Sequence, residues 1–187
     1  MDDAPCLSYH ASPRSSATCR GIQLARKVFF SFHFANDFWR TQQVRNMNAL
    51  EGNPLATPNA WEELKRKGDD SIKKWINDEM LGRSCAIVLV GSETASRKWV
   101  KYEIEKAWKD KKAVLGIRIH KLLHNSSKTS TAGANPFAGI TVGATNLGQV
   151  VPLNNPSGSD SKAVYATISS NIEAWIEDAI TLRNQHP

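Results

Sequence analysis

A tryptophan and a glutamate four residues apart, Trp99 and Glu103, follow a short apolar segment of the chain. The segment, Cys85–Val90, is rich in β-branched residues and too short for a buried helix, so it predicts a strand buried on both faces. The helical pattern that starts after Gly91 places Trp99 and Glu103 on one helical face, beside an apolar stripe. Ligands bind at the carboxyl ends of strands in α/β sheets, so Glu103 is a candidate catalytic carboxylate. Taken alone, it is more simply explained as an ordinary helix-surface glutamate.

Other polar and aromatic side chains are expected at the same edge of the sheet. The segment Lys27–His33 predicts another strand, with a helix that starts at Asn36 or Asp37 and runs to Val44 or beyond. Each polar or aromatic side chain expected at this edge has a simpler explanation when it is considered alone, such as packing in the core. Together they would suit a nucleotide with a flat ring. The predicted crevice is lined by Ser31, Phe32, His33, Trp99 and Glu103, with Trp61 contributed by an adjoining loop.

Strands and helices alternate along the chain, which predicts an α/β fold with a parallel sheet. Glycine and proline in residues 51–59 predict a loop. Gly68 should end one helix, and Asp69 or Asp70 should cap the next. The hydroxyls of Ser92–Ser96 are expected to cap the helix that follows them. Further elements are predicted at residues 61–67 and 72–80, as helices, and 113–119, as a strand, and the sheet-facing stripe comprises Val100, Ile104, Ala107 and Trp108.

The ends of the chain and one internal stretch differ in composition from this core. Residues 1–25 contain few large apolar side chains, which predicts a flexible N-terminal tail. A single domain is expected over residues 26–183. Within it, residues 124–160 are rich in Ser, Thr, Gly, Asn and Pro, which predicts an irregular, functional or mobile segment with a short strand near 150–153. An amphipathic helix over residues 162–182 closes the domain.

Composition limits the classes of partner and compartment. The formal net charge of +6 and the pI near 9.3 would suit a polyanion. However, cations and acids are interspersed along the helices and no nucleic-acid motif accompanies them, so nucleic-acid binding is a minor alternative. Three cysteines without metal-ligand spacing, and no apolar stretch long enough to cross a membrane, predict a cytoplasmic protein without disulfides. The five histidines are scattered, so no metal site is predicted, and no phosphate loop or nucleophile elbow is present.

Two motifs resemble the sequence boxes of TIR domains. Val28–His33 is similar to the first box, and Ser84–Val90 followed by Trp99–Ile104 is similar to a later strand and the glutamate box of that family. Val100 stands where the family usually has cysteine. The resemblance implies a flavodoxin-like, three-layer α/β fold with a central, mostly parallel sheet flanked by helices. Three more motifs resemble the TIR-like proteins of bacterial Thoeris antiphage systems, namely Val44-Arg45-Asn46, Trp61-Glu62 and Asn135-Pro136-Phe137.

The resemblance also implies an activity and a set of site residues. Enzymatic TIR domains cleave the nicotinamide–ribosyl bond of NAD+, and their essential glutamate corresponds to Glu103 here. NAD+ would be the substrate, with no cofactor and no metal, and an ionised Glu103 could stabilise the ribosyl cation. The substrate contacts implied by the resemblance are Ser31, Phe32, His33, Arg45, Trp61 and Trp99.

In Thoeris systems the TIR-like protein is implied to be an NAD+ glycohydrolase or ADP-ribosyl cyclase. Its cyclic or conjugated ADP-ribose product would diffuse to a separate effector protein and activate it during phage infection. A phage protein as the trigger and a homo-oligomer also belong to this expectation. The alternative is a TIR-type interaction module without turnover, since many TIR domains serve as adaptors.

Overall fold

The computed structural model describes residues 26–47, 50–52 and 58–186, so the tail predicted over residues 1–25 lies outside the described part of the chain. The strands are β1 (Arg26–Phe32), β2 (Leu50–Gly52), β3 (Cys85–Val90), β4 (Ala113–Arg118), β5 (Thr141–Val142), β6 (Thr145–Asn146) and β7 (Leu153–Asn154). The helices are α1 (Phe34–Arg45), α2 (Pro58–Lys67), α3 (Asp69–Met80), α4 (Lys98–Lys109), α5 (Leu147–Val150) and α6 (Ser161–Asn184), with a 3-10 turn at Thr94–Ser96.

Helices cover both faces of a five-stranded sheet, which confirms the predicted three-layer α/β fold. The strand order is β2-β1-β3-β4-β7, and every neighbouring pair is parallel. Successive side chains of β1 point to opposite faces, so Phe30 packs with α1 and α6 while Phe29 packs with α3 and α4. All six residues of β3 are buried, as expected for a central parallel strand.

The strand order places a crevice at one edge of the sheet. β1 and β3 are neighbours, but the chain proceeds from β1 outward to β2 on one side and from β3 outward to β4 on the other. The order therefore reverses between β1 and β3. In open parallel sheets, ligands bind beside the carboxyl ends of the strands at this reversal. The helix α4, which carries Glu103, follows β3.

The stretch of residues 51–59, predicted as a loop, is partly regular. Leu50–Gly52 form β2, which pairs in parallel with Arg26–Val28 of β1, and α2 begins at Pro58. The loop prediction was therefore wrong at both ends of this stretch. A three-residue strand is too short to show an alternating pattern, and proline is well suited to the first turn of a helix.

The helix α1 begins at Phe34, not at Asn36 or Asp37 as predicted. His33 occupies the N-cap position without a side-chain cap. Asp37 is buried and forms an ion pair with Arg40 at 3.1 Å. Its carboxylate therefore binds a cation and does not cap the free amides at the start of the helix. The sequence showed a residue type that favours caps, but tertiary burial assigns it another partner.

Two further cap predictions were wrong. Gly68 is itself the N-cap of α3, with φ of +93°, a conformation that glycine adopts without strain, and no aspartate side chain caps this helix. The serine and threonine hydroxyls before α4 do not cap it either, because Arg97 is its N-cap. Instead, the Thr94 hydroxyl accepts a hydrogen bond from the Gly91 amide at 2.9 Å and closes the turn after β3.

The stretch of residues 124–160 is more ordered than its composition predicts. It contains the antiparallel pair β5 and β6, the short helix α5, and β7 at the edge of the sheet. Phe137, Ile140 and Leu147 are buried with the α3 and α4 side of the core. The strand near residues 150–153 is present, shifted to Leu153–Asn154.

The closing helix is confirmed, and it runs slightly further than predicted, from Ser161 to Asn184. Val164, Ile168, Ile172 and Ile176 form its buried stripe. In the described ranges of the chain, no helix combines the length and the apolar character needed to cross a lipid bilayer.

Candidate active site

Ser31 and Glu103 meet at the centre of the site. Ser31 lies two residues after Phe29 on β1, so its side chain points to the face that α4 covers. Glu103 lies on the buried side of α4, one turn after Trp99. The Ser31 hydroxyl donates a hydrogen bond to Glu103 Oε2 at 2.5 Å, and both residues are buried. The carboxyl is therefore fixed in position by a neighbouring strand, unlike a surface glutamate.

Burial raises the pKa of Glu103 to about 8 from an ordinary value of 4.5, although the hydrogen bond from Ser31 acts in the opposite direction. The carboxyl of the free protein is therefore mainly protonated at neutral pH. A positive charge placed beside it would lower this pKa and favour the carboxylate. Strongly shifted carboxyls in cavities are typical of functional sites.

Replacing Glu103 with glutamine is expected to stabilise the fold at pH 8 but not at pH 4. Between pH 4.5 and about 8 the folded protein keeps a proton that the unfolded chain has lost. The wild-type free energy of unfolding therefore falls as pH rises through this range, by up to about 1.4 kcal/mol per pH unit. Denaturant unfolding at several pH values measures the difference between the two proteins. If the free energies of unfolding of the wild type and the variant changed equally with pH, the raised pKa of Glu103 would be contradicted.

A cavity of about 520 Å³ opens beside Glu103, at the carboxyl end of β1 and the start of α4. Its volume falls within the range of roughly 300–1,000 Å³ that is usual for small-molecule sites. Phe34 and Trp61 stack in its wall, with ring centroids 5.8 Å apart and planes at 23°, and Trp75 meets Trp61 edge-on at 6.2 Å. Such a wall is suited to a flat ring. The aromatic lining comprises Phe30, Phe32, Phe34, Trp61, Trp75 and Trp99.

Three cations also line the cavity, and each is held by an acidic neighbour. Arg97 and Lys98 stand at the start of α4, where no side chain caps the first turn of the helix. The Arg97 Nε is buried and has no hydrogen-bond partner among the described residues. The cavity thus combines an aromatic wall, a buried carboxyl and a cationic side. The ion pairs are Lys65–Glu62, Arg97–Glu93 and Lys98–Asp69.

The structure brings most of the predicted site residues to this cavity, but not all. Arg45 lies in the last turn of α1, about 16 Å along the helix from Phe34, and does not line the cavity. The cavity therefore gives no support to a substrate contact by Arg45. Ser31 reaches the site through its hydrogen bond with Glu103. The predicted residues that line the cavity are Phe32, His33, Trp61, Trp99 and Glu103.

His33 borders the cavity as a neutral side chain at pH 7. Burial lowers its pKa, and the nearby positive charge of Arg97 lowers it further. Its Nδ1 lies 3.9 Å from a Glu93 oxygen. A neutral imidazole leaves Glu103 without a cationic partner on this side. No group of three or more His, Cys, Asp or Glu residues within the described ranges is placed to hold a metal ion.

Sequence reasoning missed Phe34, Trp75, Lys65, Arg97 and Lys98 as cavity residues. For two of them, Arg97 and Lys98, the sequence does contain evidence of such a position. Cations in the first turn of a helix oppose the helix dipole, so the pair Arg97-Lys98 is unfavourable for the helix and indicates an anion nearby. The sequence contains no comparable evidence for Trp75 and Lys65, because their position at the cavity depends on how α2 and α3 pack.

The parallel sheet has the flavodoxin-like strand order, and a buried glutamate lies four residues after a tryptophan on the helix that follows β3, as the resemblance to TIR domains implies. The family model described as "Thoeris protein ThsB, TIR-like domain" matches residues 29–124, and the chain belongs to this family. A curated protein of Bacillus cereus (strain MSX-D12), named "Putative cyclic ADP-D-ribose synthase ThsB1", is 35% identical over 120 residues. The match covers 61% of this chain and 62% of that protein.

Proposed function

We propose that this protein cleaves the nicotinamide–ribosyl bond of NAD+ and converts the ADP-ribosyl part into a signal molecule. The observation that carries the proposal is the buried Glu103 carboxyl, held by Ser31 beside an aromatic cavity. A carboxyl that served only packing would gain little here, because burying an acid without a cationic partner is unfavourable. A cationic ligand, such as the nicotinamide ring of NAD+, would supply that partner.

The lining of the cavity supports one orientation of NAD+. The nicotinamide ring would lie against aromatic side chains near Trp99, one helical turn from Glu103. The pyrophosphate would face Arg97 and Lys98, where the uncapped amides at the start of α4 also favour an anion. Phosphate oxygens could then replace the acidic side chains that hold these cations in the free protein.

The reaction needs one carboxylate and no acid for the leaving group. The bond that breaks joins the ribose C1′ to the nicotinamide nitrogen, and its electron pair leaves with nicotinamide, which becomes neutral. The remaining ribosyl cation resembles the transition state of glycoside hydrolysis. The positive nicotinamide ring lowers the pKa of Glu103 on binding, and the resulting carboxylate would stabilise the ribosyl cation as it forms.

A nucleophile then bonds to the ribosyl carbon and loses its proton to solvent. Water would give ADP-ribose, whereas another group of the same nucleotide would give a cyclic product, and a second molecule would give a conjugate. Aromatic side chains in the wall of the cavity would disfavour water beside the ribosyl cation, which supports the cyclic or conjugated product. The name of the Bacillus cereus relative, "Putative cyclic ADP-D-ribose synthase ThsB1", also supports a cyclic product. The product would activate a separate cytoplasmic effector during phage infection, after a phage-derived trigger.

Incubation of the purified protein with NAD+ tests the proposal, both alone and with lysate from phage-infected cells. Nicotinamide and a cyclic or conjugated ADP-ribose are expected, and mass spectrometry identifies both. Intact NAD+ under every condition would contradict the enzyme proposal and favour an interaction module.

Replacing Arg97 with serine is expected to raise the KM for NAD+ about tenfold with a smaller change in kcat, as for loss of one charge-assisted contact to phosphate. The contact would be made in both the bound and transition states, so it acts mainly on binding. Lys101→Ser is the matched control, because Lys101 is an exposed cation on the same helix outside the cavity. Steady-state kinetics distinguishes the variants. Equal KM values for Arg97→Ser and the control would exclude Arg97 from the phosphate side.

A further inference from the structure

A second, smaller cavity lies at the opposite edge of the sheet from the candidate active site. Its volume is about 280 Å³. It is bordered by Arg26 at the start of β1, Ser84 just before β3 and Ala113 at the start of β4. These are the amino ends of parallel strands, whereas the active-site cavity lies at the carboxyl ends. The two cavities are therefore separate.

The lining of this amino-end cavity is strongly cationic. Five of its side chains are basic and one, Asp110, is acidic. Asp110 is already paired with Lys106, outside the cavity. Two of the five cations are also neutralised: Arg26 forms a two-fold hydrogen-bonded pair with Glu177 at 2.7 and 2.9 Å, and Arg83 pairs with Glu79 at 3.6 Å.

Three cations of the cavity remain without an acidic partner. Within the described residues, no carboxylate oxygen lies within 4.0 Å of the charged nitrogens of Lys111, Lys112 or Arg183. Lys112 Nζ donates to the Arg83 carbonyl oxygen at 2.9 Å, which fixes its position at the cavity. Three unpaired positive charges around one small cavity repel each other unless an anion joins them.

Arg183 is the most informative of these cations because its side chain is buried, with 6% of the residue exposed. Its guanidinium lies 4.6 Å from the ring centre of Trp108, its Nη2 donates to the Trp108 carbonyl at 3.1 Å, and its Nη1 donates to the His186 carbonyl. Its Nε is buried and has no hydrogen-bond partner among the described residues. A buried charge without a counter-ion is unfavourable, and buried charges in proteins are normally paired. Both carbonyl acceptors are neutral, so Arg183 has no counter-charge among the described residues, and an anion in the cavity would supply one.

Lys111 is the third unpaired cation, and its backbone has a conformation that lysine rarely adopts. Its φ is +59°, in the left-handed region, where a lysine is strained and glycine is not. The turn after α4 would fit glycine better, yet a charged side chain stands there.

We propose that the amino-end cavity binds a phosphate group, either as inorganic phosphate or pyrophosphate or as the phosphate end of a nucleotide. Arginine and lysine nitrogens placed around one point match the oxygens of phosphate, and arginine held against an aromatic ring is pre-organised for this contact. The cavity admits the phosphate part of a ligand, while any base or sugar would project into solvent. The site is independent of the proposed NAD+ chemistry, because it shares no lining residue with the active-site cavity.

Pyrophosphate is the first probe, added to the purified protein at constant ionic strength with potassium chloride as the balancing salt. Binding to the folded state raises the melting temperature and gives a titratable heat in calorimetry. Lys111→Gly is expected to weaken pyrophosphate binding about tenfold, as for loss of one charge-assisted contact. This variant also relieves the strained backbone, so it should fold at least as well as the wild type.

Two controls separate this site from general charge effects. Lys121→Ser removes one exposed cation near the carboxyl end of β4, and Lys101→Ser removes one exposed cation of α4 that lines neither cavity. Both should keep the wild-type response to pyrophosphate. No stabilisation of the wild type, an undiminished response in Lys111→Gly, or an equal loss of response in Lys101→Ser would each overturn the proposal. ADP in place of pyrophosphate distinguishes a nucleotide from a free phosphate, since tighter binding of ADP that still depends on Lys111 assigns the site to nucleotides.

Discussion

Glutamine in place of Glu103 is expected to lower the rate of nicotinamide release about 100- to 1,000-fold, the usual effect of removing one pre-organised electrostatic group. Glutamine keeps the shape of the side chain and can still accept the hydrogen bond from Ser31. It cannot carry the negative charge that would stabilise the ribosyl cation. Single-turnover release of nicotinamide measures the chemical step, and calorimetry with NAD+ measures binding, which should change far less.

Glu105→Gln is the matched control, because Glu105 lies on the same helix and pairs with Lys109 at 3.3 Å outside the cavity. It should release nicotinamide at the wild-type rate. In the wild type, kcat/KM is expected to rise with pH towards a plateau above about 8, as the free protein loses the Glu103 proton. Wild-type release by a folded Glu103→Gln variant would show that another group stabilises the cation.

Alanine at Gly133 is expected to lower the free energy of unfolding by roughly 3 kcal/mol or more, as for overpacking against a rigid neighbour. Gly133 packs directly on the backbone of Gly91, at the end of β3, and an added Cβ would overlap the Gly91 carbonyl oxygen. The Gly133 carbonyl also accepts a hydrogen bond from Arg118 at 2.5 Å, which limits how far the loop can move. Denaturant unfolding of the purified variant measures the loss.

Gly139→Ala shows whether the effect is steric. Gly139 has φ of +76°, and a Cβ there would meet no atom within 4 Å. This control should lose only about 1 kcal/mol, from backbone strain alone. Equal losses in the two variants would mean that the contact between Gly133 and Gly91 is not tight.

The sequence predicted those parts of the fold that depend on long apolar patterns. Cys85–Val90 was recognisable as a doubly buried strand because all six side chains are apolar, and the stripe of α6 repeats over many turns. The sequence placed Ser31 and Glu103 in one crevice, but it did not predict the hydrogen bond between them. The cavity brings these predicted residues together, while their contacts with substrate stay a prediction.

The remaining features depend on tertiary contacts that local pattern does not record. Asp37 resembles a helix cap in sequence, but burial pairs it with Arg40. Neither the pKa of Glu103 nor the ion pairs of Arg97 and Lys98 could be predicted, because they depend on which groups surround each charge. The match of residue 45 to a family motif likewise did not predict that Arg45 lies away from the cavity.

The outer strands of the sheet limit how this protein can associate with others. Within the described ranges, β2 has three residues and β7 has two, so these outermost strands offer only a few unpaired backbone groups. Borders this short are poor templates for an added strand from another chain. Any self-assembly that completes or regulates the NAD+ site is therefore expected to use helix and loop surfaces, with side-chain contacts rather than a shared β-sheet.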